Sequence, residues 1–213
     1  MKPLDQCRLY TFIDTAFLHG RDPAEVARQL CRGGADLVQV RAKDSTAAQV
    51  RDLAAQVLPV LRDAGVGMVV NDHYGIAREV GADFCHLGQE DFFAPNGAGE
   101  PAVKIELPGP AFGLSTHSPE QARQAMTVGP AYIAVGPVYA TRTKPGALPV
   151  TVEYVRWASS HVKIPWFVIG GINLTTLDAV LAAGAHRICV VSAILNAADI
   201  AEACRQFRKR LPV

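Results

Sequence analysis

Polar and cationic side chains alternate along a short run of the sequence, at Gln39, Arg41 and Lys43. In an extended strand, alternate side chains point the same way, so the three would share one face. Arginines and lysines are also common where a strand simply runs out into solvent, and that explanation fits Arg41 and Lys43 taken alone. Gln39 lies earlier in the run, where an apolar residue is expected. The pattern therefore indicates a site that attracts an anionic ligand.

Two aspartates follow later apolar runs, Asp72 directly after one run and Asp91 shortly after the next. Asp72 alone could cap the helix that follows it. Two carboxylates close to a cationic run have a further use, because Mg²⁺ needs hard oxygens of this kind when water and phosphate oxygens supply its other ligands. We expect Asp72 and Asp91 to bind Mg²⁺, and the neighbouring Glu90 is a poorer candidate.

Other polar residues in and after the apolar runs differ in what they indicate. His86 lies inside a run, which is typical of a packed, hydrogen-bonded core histidine. Ser118 with the proline after it is a common helix start and so has a structural explanation. Ser115 and His117 have no such explanation. We expect both to face the same end of the fold as the aspartates.

A second group of residues has the features of a phosphate site. Gly170 and Gly171 follow one apolar run, and Ser192 follows the next. Paired glycines let a phosphate approach backbone N–H groups, and helix N-termini add favourable dipoles. The loop before them, residues 136–146, is polar, bounded by Gly and Pro, and longer than a minimal connection. Loops of this kind often cover an anion.

These residues must be positioned by a repeating series of short elements. Eight apolar, β-branched runs predict strands over Leu9–Ile13, Leu37–Val40, Val66–Val70, Phe84–Leu87, Ala111–Leu114, Tyr132–Val135, Trp166–Ile169 and Ile188–Val191. Helical periodicity between most of them predicts helices over Pro23–Cys31, Thr46–Arg62, Pro119–Met126, Val150–Ser160, Leu174–Ala182 and Ile200–Leu211. Gly34, Gly81 and Gly184 suit the left-handed position that ends a helix.

Apolar strands joined by crossover helices imply a parallel sheet, and eight such units close most naturally into a (β/α)₈ TIM barrel. A doubly wound open sheet is the alternative, but no G-x-G-x-x-G motif follows the first strand. The segment Phe92–Pro110 holds four prolines and breaks the pattern, so the fourth unit is expected to carry a loop or a short helix. In a barrel, reactive groups lie at the C-terminal ends of strands, where all the residues above fall.

The composition limits the class of protein. The chain has 213 residues, 49% hydrophobic and 19% charged, which predicts one α/β domain over residues 1–213. A net charge of +1 provides no global field for nucleic acid or an anionic membrane. Five widely spaced cysteines and a polar N-terminus without an apolar segment predict a cytoplasmic protein. The sequence leaves the oligomeric state open.

Taken in order, the strand-end motifs resemble those of the thiamine-phosphate synthase family. The motifs are Gln39-x-Arg41-x-Lys43, Asn71-Asp72, His86-Leu-Gly-Gln-Glu-Asp91, Ser115-Thr-His117, Gly136-Pro137 with Thr141-x-Thr143-Lys144, Gly170-Gly171-Ile172 and Val191-Ser192-Ala193-Ile194. The resemblance spans nearly the whole chain. It implies a transferase that joins 4-amino-2-methyl-5-pyrimidinylmethyl diphosphate to a thiazole phosphate or its carboxylated form.

The resemblance also implies a role for each residue. The pyrimidine diphosphate would be held by Gln39, Arg41, Lys43, Asn71, Ser115 and Lys144, of which Arg41, Lys43, Ser115 and Lys144 would be catalytic. The thiazole phosphate would be held by Thr141, Thr143, Gly171, Val191 and Ser192. Asp72 and Asp91 would bind the Mg²⁺ cofactor, in agreement with the interpretation of the residues themselves. The expected partners are small phosphorylated molecules.

Two other functions fit the same barrel. A thiazole tautomerase would isomerise the thiazole phosphate without coupling it, and His117 is its proton-transfer candidate. An enzyme of that kind has no evident use for two carboxylates and several cations at one rim. A ligand-binding regulatory protein is the second alternative, because the fold alone does not exclude it.

Overall fold

Eight parallel strands close into a barrel in the order β1 to β8 in a computed structural model of the chain. The structure describes residues 1–93, 105–141, 146 and 148–212. The strands are β1 Leu9–Asp14, β2 Leu37–Arg41, β3 Gly67–Asn71, β4 Phe84–Leu87, β5 Ala111–Thr116, β6 Tyr132–Val135, β7 Trp166–Val168 and β8 Ile188–Cys189. The predicted (β/α)₈ barrel is confirmed, and the alternative of an open sheet is wrong.

Helices cover the outside of the barrel. They are α1 Thr15–Leu18, α2 Pro23–Arg32, α3 Ala47–Asp63, α4 Tyr74–Val80, α5 Gln89–Phe92, α6 Pro119–Thr127, α7 Thr151–His161, α8 Leu177–Ala182, α9 Ser192–Leu195 and α10 Ile200–Arg210. Each of the six predicted helices is present within a few residues of its predicted bounds. The periodicity did not reveal α1, α4, α5 or α9, because segments of four to seven residues hold too few turns to show a period.

Local residue chemistry sets several helix ends. Thr46 and Gln49 form a reciprocal capping box at the start of α3. Ser118 accepts from the backbone of Gln121 at the start of α6, as the Ser-Pro pair predicts. The helix predicted from Leu174 begins only at Leu177. The Asn173 side-chain oxygen accepts from the backbone N–H groups of Thr175 and Thr176, and these bonds hold the residues before Leu177 in a turn.

The predicted strands differ from the observed ones mainly at their ends. The eighth stops at Cys189, because Val191 adopts φ −111° and ψ −87°, which is not an extended conformation. The third is shifted by one residue, to Gly67–Asn71. Gly34, Gly81 and Gly184 have positive φ of 88°, 72° and 95°, as predicted for glycines that end helices.

The described part of the fourth unit carries the short helix α5 directly after β4. Residues 94–104 of the irregular segment lie outside the described residues. Within the described part of the chain, no helix has the length and apolar character needed to cross a membrane. All five cysteines are free thiols.

A buried carboxylate stabilises the barrel at the end where the strands begin. Asp36, 7% exposed, accepts from the backbone N–H groups of Arg8 and Leu9 at 2.6 and 3.0 Å. Its side chain also pairs with Lys2 and Arg208. The bonds connect the start of β1, the start of β2 and the last helix. This end of the barrel therefore serves stability and leaves the opposite end for function.

Candidate active site

A cavity of about 280 Å³ opens at the C-terminal ends of the strands, which is close to the lower limit of small-molecule sites. Of the predicted site residues, those that line it are Gln39, Arg41, Lys43, Asn71, Asp72, Asp91, Ser115, Thr141, Gly171, Val191 and Ser192. Thr143 and Lys144 lie outside the described residues. Every predicted site residue that the structure describes therefore meets at one cavity.

Arg41 is held at the rim by a carboxylate that the sequence analysis did not single out. Asp14 lies opposite Arg41 on the neighbouring strand, and its Oδ2 accepts from Arg41 Nη1 at 2.7 Å. Asp14 is 1% exposed, and its second oxygen accepts from the backbone N–H of Ala16. The sequence does contain a signal for this pair, because an acidic residue stands at the end of the first predicted strand, level with Arg41 on the second.

Lys43 and Asp72 connect the ends of β2 and β3. Lys43 Nζ donates to Asp72 Oδ2 at 2.6 Å, and Asn71 Nδ2 donates to the same oxygen at 2.7 Å. Asp72 adopts φ 64°, an uncommon conformation for a residue other than glycine. It is not the cap of α4, which begins after His73 without any side-chain cap. The helix-cap interpretation of Asp72 is therefore wrong, and its side chain belongs to the cavity.

Asp91 lies in α5, one turn after β4, and its carboxylate lies close to the backbone at the start of that helix. A Cβ atom on Gly88 would come within 2.5 Å of Asp91 Oδ2, so a larger residue there would require the carboxylate to move. In the described part of the chain, no three acidic, histidine or cysteine side chains cluster closely enough to hold a metal by themselves. A metal at Asp72 and Asp91 would need further ligands from the substrate or from water.

The opposite side of the cavity is formed by Gly171, Val191, Ser192 and Thr141. Gly171 has φ 62°, and a Cβ atom there would come within 2.7 Å of Tyr139 Cβ and 2.8 Å of the Ala140 carbonyl oxygen. The glycine is thus required by the close approach of the loop after β6. The helix after β8 is a single turn, so its dipole contributes less than the sequence analysis expected.

His86 is a buried histidine, as expected, but it also contacts the cavity. Its Nδ1 lies 3.1 Å from the Tyr132 hydroxyl, and its Nε2 lies 2.9 Å from Ser115 Oγ. Burial lowers the pKa of His86 to about 4, so the ring is neutral at physiological pH. Burial also raises the pKa values of Tyr10 and Tyr132 well above their usual range. These groups are therefore uncharged hydrogen-bonding partners beneath the cavity.

His117 has a defined tautomer. Its Nδ1 lies 2.5 Å from the Gly136 carbonyl oxygen, which can only accept, so Nδ1 carries the proton. In the neutral ring, Nε2 is then the nitrogen with the lone pair. The side chain lines the cavity, as expected from its place after β5. An acceptor of this kind could take a proton from a bound molecule.

Comparisons with known proteins agree with the arrangement. Residues 9–194 match the family model described as thiamine monophosphate synthase. The thiamine-phosphate synthase of Thermus thermophilus is 44% identical over 180 residues, 84% of each chain. That of Moorella thermoacetica is 39% identical over 207 residues, 97% of this chain and 96% of the relative. The solved thiamine phosphate pyrophosphorylase of Pyrococcus furiosus has a TM-score of 0.81 and 27% identity, covering 97% of this chain and 96% of its own.

The relatives match over most of their own length as well as over most of this chain. The structural match extends over all eight strand–helix units, because it covers nearly the whole of both chains. Two expectations from the strand-end motifs are confirmed, the family and an enzyme of the transferase class. The chain belongs to the thiamine monophosphate synthase family.

Proposed function

We propose that this protein joins 4-amino-2-methyl-5-pyrimidinylmethyl diphosphate to a thiazole phosphate, which gives thiamine phosphate and diphosphate. The observation that carries the proposal is the division of one cavity into two chemically different sides. Cations and carboxylates line the side formed by β2, β3 and α5, while glycine, small side chains and backbone line the side after β7 and β8. A diphosphate suits the first side and a single phosphate suits the second.

The first side has the groups that a leaving diphosphate needs. Arg41 and Lys43 provide positive charge at the rim, each held in place by a carboxylate on a neighbouring strand. In the proposed reaction the bond between the pyrimidine methylene carbon and the diphosphate oxygen breaks, and the electron pair leaves with the diphosphate. The two cations stabilise the charge that grows on this group. The family resemblance adds Lys144 to them.

The residues present fit a magnesium ion. Asp72 and Asp91 provide hard carboxylate oxygens on one cavity, and Mg²⁺ in phosphate-transfer sites takes only one or two carboxylates from the protein. Asn71 and Lys43, both bonded to Asp72 Oδ2, hold this carboxylate in one orientation. When bound, Mg²⁺ would neutralise charge on the diphosphate oxygens.

The second side would position the thiazole. Thr141, Gly171 and Ser192 lie where they could bind its phosphate, and this places the ring nitrogen close to the pyrimidine. The pyrimidine cation, stabilised by its electron-rich amino group, is then attacked by the nitrogen, and a C–N bond forms. A carboxylated thiazole loses CO₂ afterwards. None of these steps requires a strong base from the protein.

The test is a two-substrate assay with purified protein. With both substrates and Mg²⁺ present, we expect diphosphate and thiamine phosphate in equal amounts. Omission of the thiazole phosphate serves as the control, because coupling requires both substrates. If saturating substrates and Mg²⁺ give no diphosphate, the proposal is wrong. Binding of both ligands without turnover would instead favour the regulatory barrel.

One observation favours thiazole tautomerase as a second candidate function. The bond from His117 Nδ1 to the Gly136 carbonyl leaves Nε2 as an acceptor for a substrate proton. A tautomerase would interconvert isomers of the thiazole phosphate without pyrimidine and without metal, and His117→Gln would abolish that activity. The coupling reaction should tolerate the same substitution with a loss smaller than that of Asp72→Asn.

A further inference from the structure

A continuous chain of buried hydrogen bonds crosses the interior of the barrel beneath the cavity. It runs through Gln39, Tyr10, Tyr132, His86 and Ser115, with successive distances of 2.6, 3.0, 3.1 and 2.9 Å. Its members come from five different strands, and all of them except Tyr132 line the cavity. Both ends are among the residues expected to hold the pyrimidine diphosphate, whereas neither tyrosine is among the expected site residues.

The direction of donation along this chain follows from the number of hydrogens. Gln39 Nε2 donates to the Tyr10 hydroxyl, which has one hydrogen of its own. Among the described residues, Tyr132 is the acceptor that the structure offers for that hydrogen, at 3.0 Å. The opposite direction would leave the Tyr10 hydrogen without an acceptor among the described side chains, and an unsatisfied buried donor is costly. Tyr10 therefore donates to Tyr132.

The remaining bonds are then determined. Tyr132, which already accepts from Tyr10, uses its own hydrogen to donate to His86 Nδ1. The neutral imidazole must carry its hydrogen on Nε2, and it donates this hydrogen to Ser115 Oγ. Ser115 accepts from within the protein, so its own hydroxyl hydrogen is available for a ligand in the cavity.

The geometry keeps Tyr132 in one position. Its side chain is fully buried, and its ring stacks on the His86 ring with centroids 5.7 Å apart. Gly113 makes room for it, because a Cβ atom there would come within 2.2 Å of Tyr132 Cζ. Tyr132 is 0% exposed and does not line the cavity, so water does not reach its hydroxyl. Solvent therefore cannot replace a lost hydroxyl without a change in packing.

We propose that Tyr132 and His86 are positioning residues that make the Ser115 hydroxyl a hydrogen-bond donor to an acceptor atom of the bound pyrimidine diphosphate. The inference rests on the proposed function for the identity of the ligand. Neither residue needs to touch the reacting atoms. They act on the reaction only by orienting Ser115, so their substitution should have little effect once the Ser115 hydroxyl is absent.

The first experiment is a double-mutant cycle on kcat/KM for the pyrimidine diphosphate. Tyr132→Phe removes one hydroxyl, and we expect a loss of about tenfold, the value of roughly one hydrogen bond. In a Ser115→Ala background the same substitution should change kcat/KM by less than about twofold, because the group through which Tyr132 acts is absent. Equal losses in both backgrounds would overturn the proposal.

Tyr154→Phe is the matched control. Tyr154 likewise has a buried hydroxyl that donates to a side chain on a strand, Thr116 Oγ1 of β5 at 2.6 Å, but it does not line the cavity. This substitution should lower stability without a specific loss of kcat/KM. A tenfold loss of kcat/KM in this variant too would mean that any buried tyrosine hydroxyl matters, and this would contradict a special role for Tyr132.

The second experiment does not depend on the reaction, and the tautomer is observed in the unsubstituted protein. Nitrogen-15 NMR of ring-labelled histidine distinguishes the tautomers, and His86→Gln identifies the His86 signals among the six histidines. We expect a proton on Nε2 and none on Nδ1. The reverse tautomer would refute the inference even if the protein couples both substrates. The expected tautomer in a protein that releases no diphosphate would refute the proposed function alone.

Discussion

Asp14 and Arg41 lie opposite each other on β1 and β2, and the buried Asp14 carboxylate accepts from the Arg41 guanidinium at 2.7 Å. The pair shows how the barrel positions a cation that faces the ligand. A long, flexible arginine side chain at the rim would otherwise lose conformational entropy on binding. Because the carboxylate is fixed by its own bond to the Ala16 backbone, the guanidinium is held in place before a ligand arrives.

Asp14→Ala should therefore weaken binding of the pyrimidine diphosphate. We expect KM for this substrate to rise about tenfold with a smaller change in kcat, because Arg41 remains but is no longer held. Steady-state kinetics with the thiazole phosphate saturating measures this. Asp22→Ala, which removes the cap of α2 outside the cavity, is the control and should leave KM unchanged. An unchanged KM in Asp14→Ala would show that Arg41 needs no such support.

Removal of the metal, or of a carboxylate that binds it, should stop turnover. We expect Asp72→Asn and Asp91→Asn each to lower kcat by about 100-fold or more, and EDTA to abolish activity until Mg²⁺ is restored. Calorimetric titration of Mg²⁺ with inorganic diphosphate present should show weaker binding in both variants. Glu79→Gln changes an exposed carboxylate outside the cavity and is the control. Full activity in EDTA would contradict the metal assignment.

Protonation of His86 should make the protein less stable as the pH falls from 6.5 towards 4. Burial lowers its pKa to about 4 in the folded state, while the unfolded chain keeps a value near 6.5. In this window the unfolded state binds the proton and the folded state does not, so the free energy of unfolding falls as the pH falls. We expect a loss on the order of 2 kcal/mol between pH 6.5 and pH 5.

Denaturant unfolding at several pH values measures that loss. His86→Gln should show a shallower dependence on pH, whatever its absolute stability, because the titrating group is gone. His161→Gln removes an exposed histidine and should retain the slope of the unsubstituted protein. Equal slopes in all three proteins would mean that another group causes the acid sensitivity.

Asp36 should contribute to stability without affecting catalysis. Asp36→Ala leaves Lys2, Arg208 and two backbone N–H groups without their buried acceptor, and we expect a loss of about 3 kcal/mol in the free energy of unfolding. Glu25→Gln is the matched control, because Glu25 pairs with two arginines at the surface and should contribute little. Activity at low temperature should be unchanged in both. Denaturant unfolding measures both variants, and a similar denaturant concentration at the midpoint of unfolding would contradict the role assigned to Asp36.

The fold was predictable because barrel strands and the longer helices follow from local patterns. Apolar runs such as Tyr132–Val135 are buried along their whole length, so an uninterrupted apolar run in the sequence indicates a buried strand. The shortest elements were not predictable for the opposite reason. A single turn such as α9 depends on how the end of β8 bends at Val191, which is set by packing and not by periodicity.

For the site, the sequence by itself determined which residue types stand at the strand ends, and hence the cations, carboxylates and glycines of the cavity. It did so because alternation along a strand and the parallel order of strands are local properties. Only the tertiary structure decided which groups pair: Asp14 with Arg41, Lys43 with Asp72, and His86 with both Tyr132 and Ser115. Such pairings join residues that are distant in the sequence, and the register between strands and the curvature of the barrel bring their side chains within hydrogen-bonding distance.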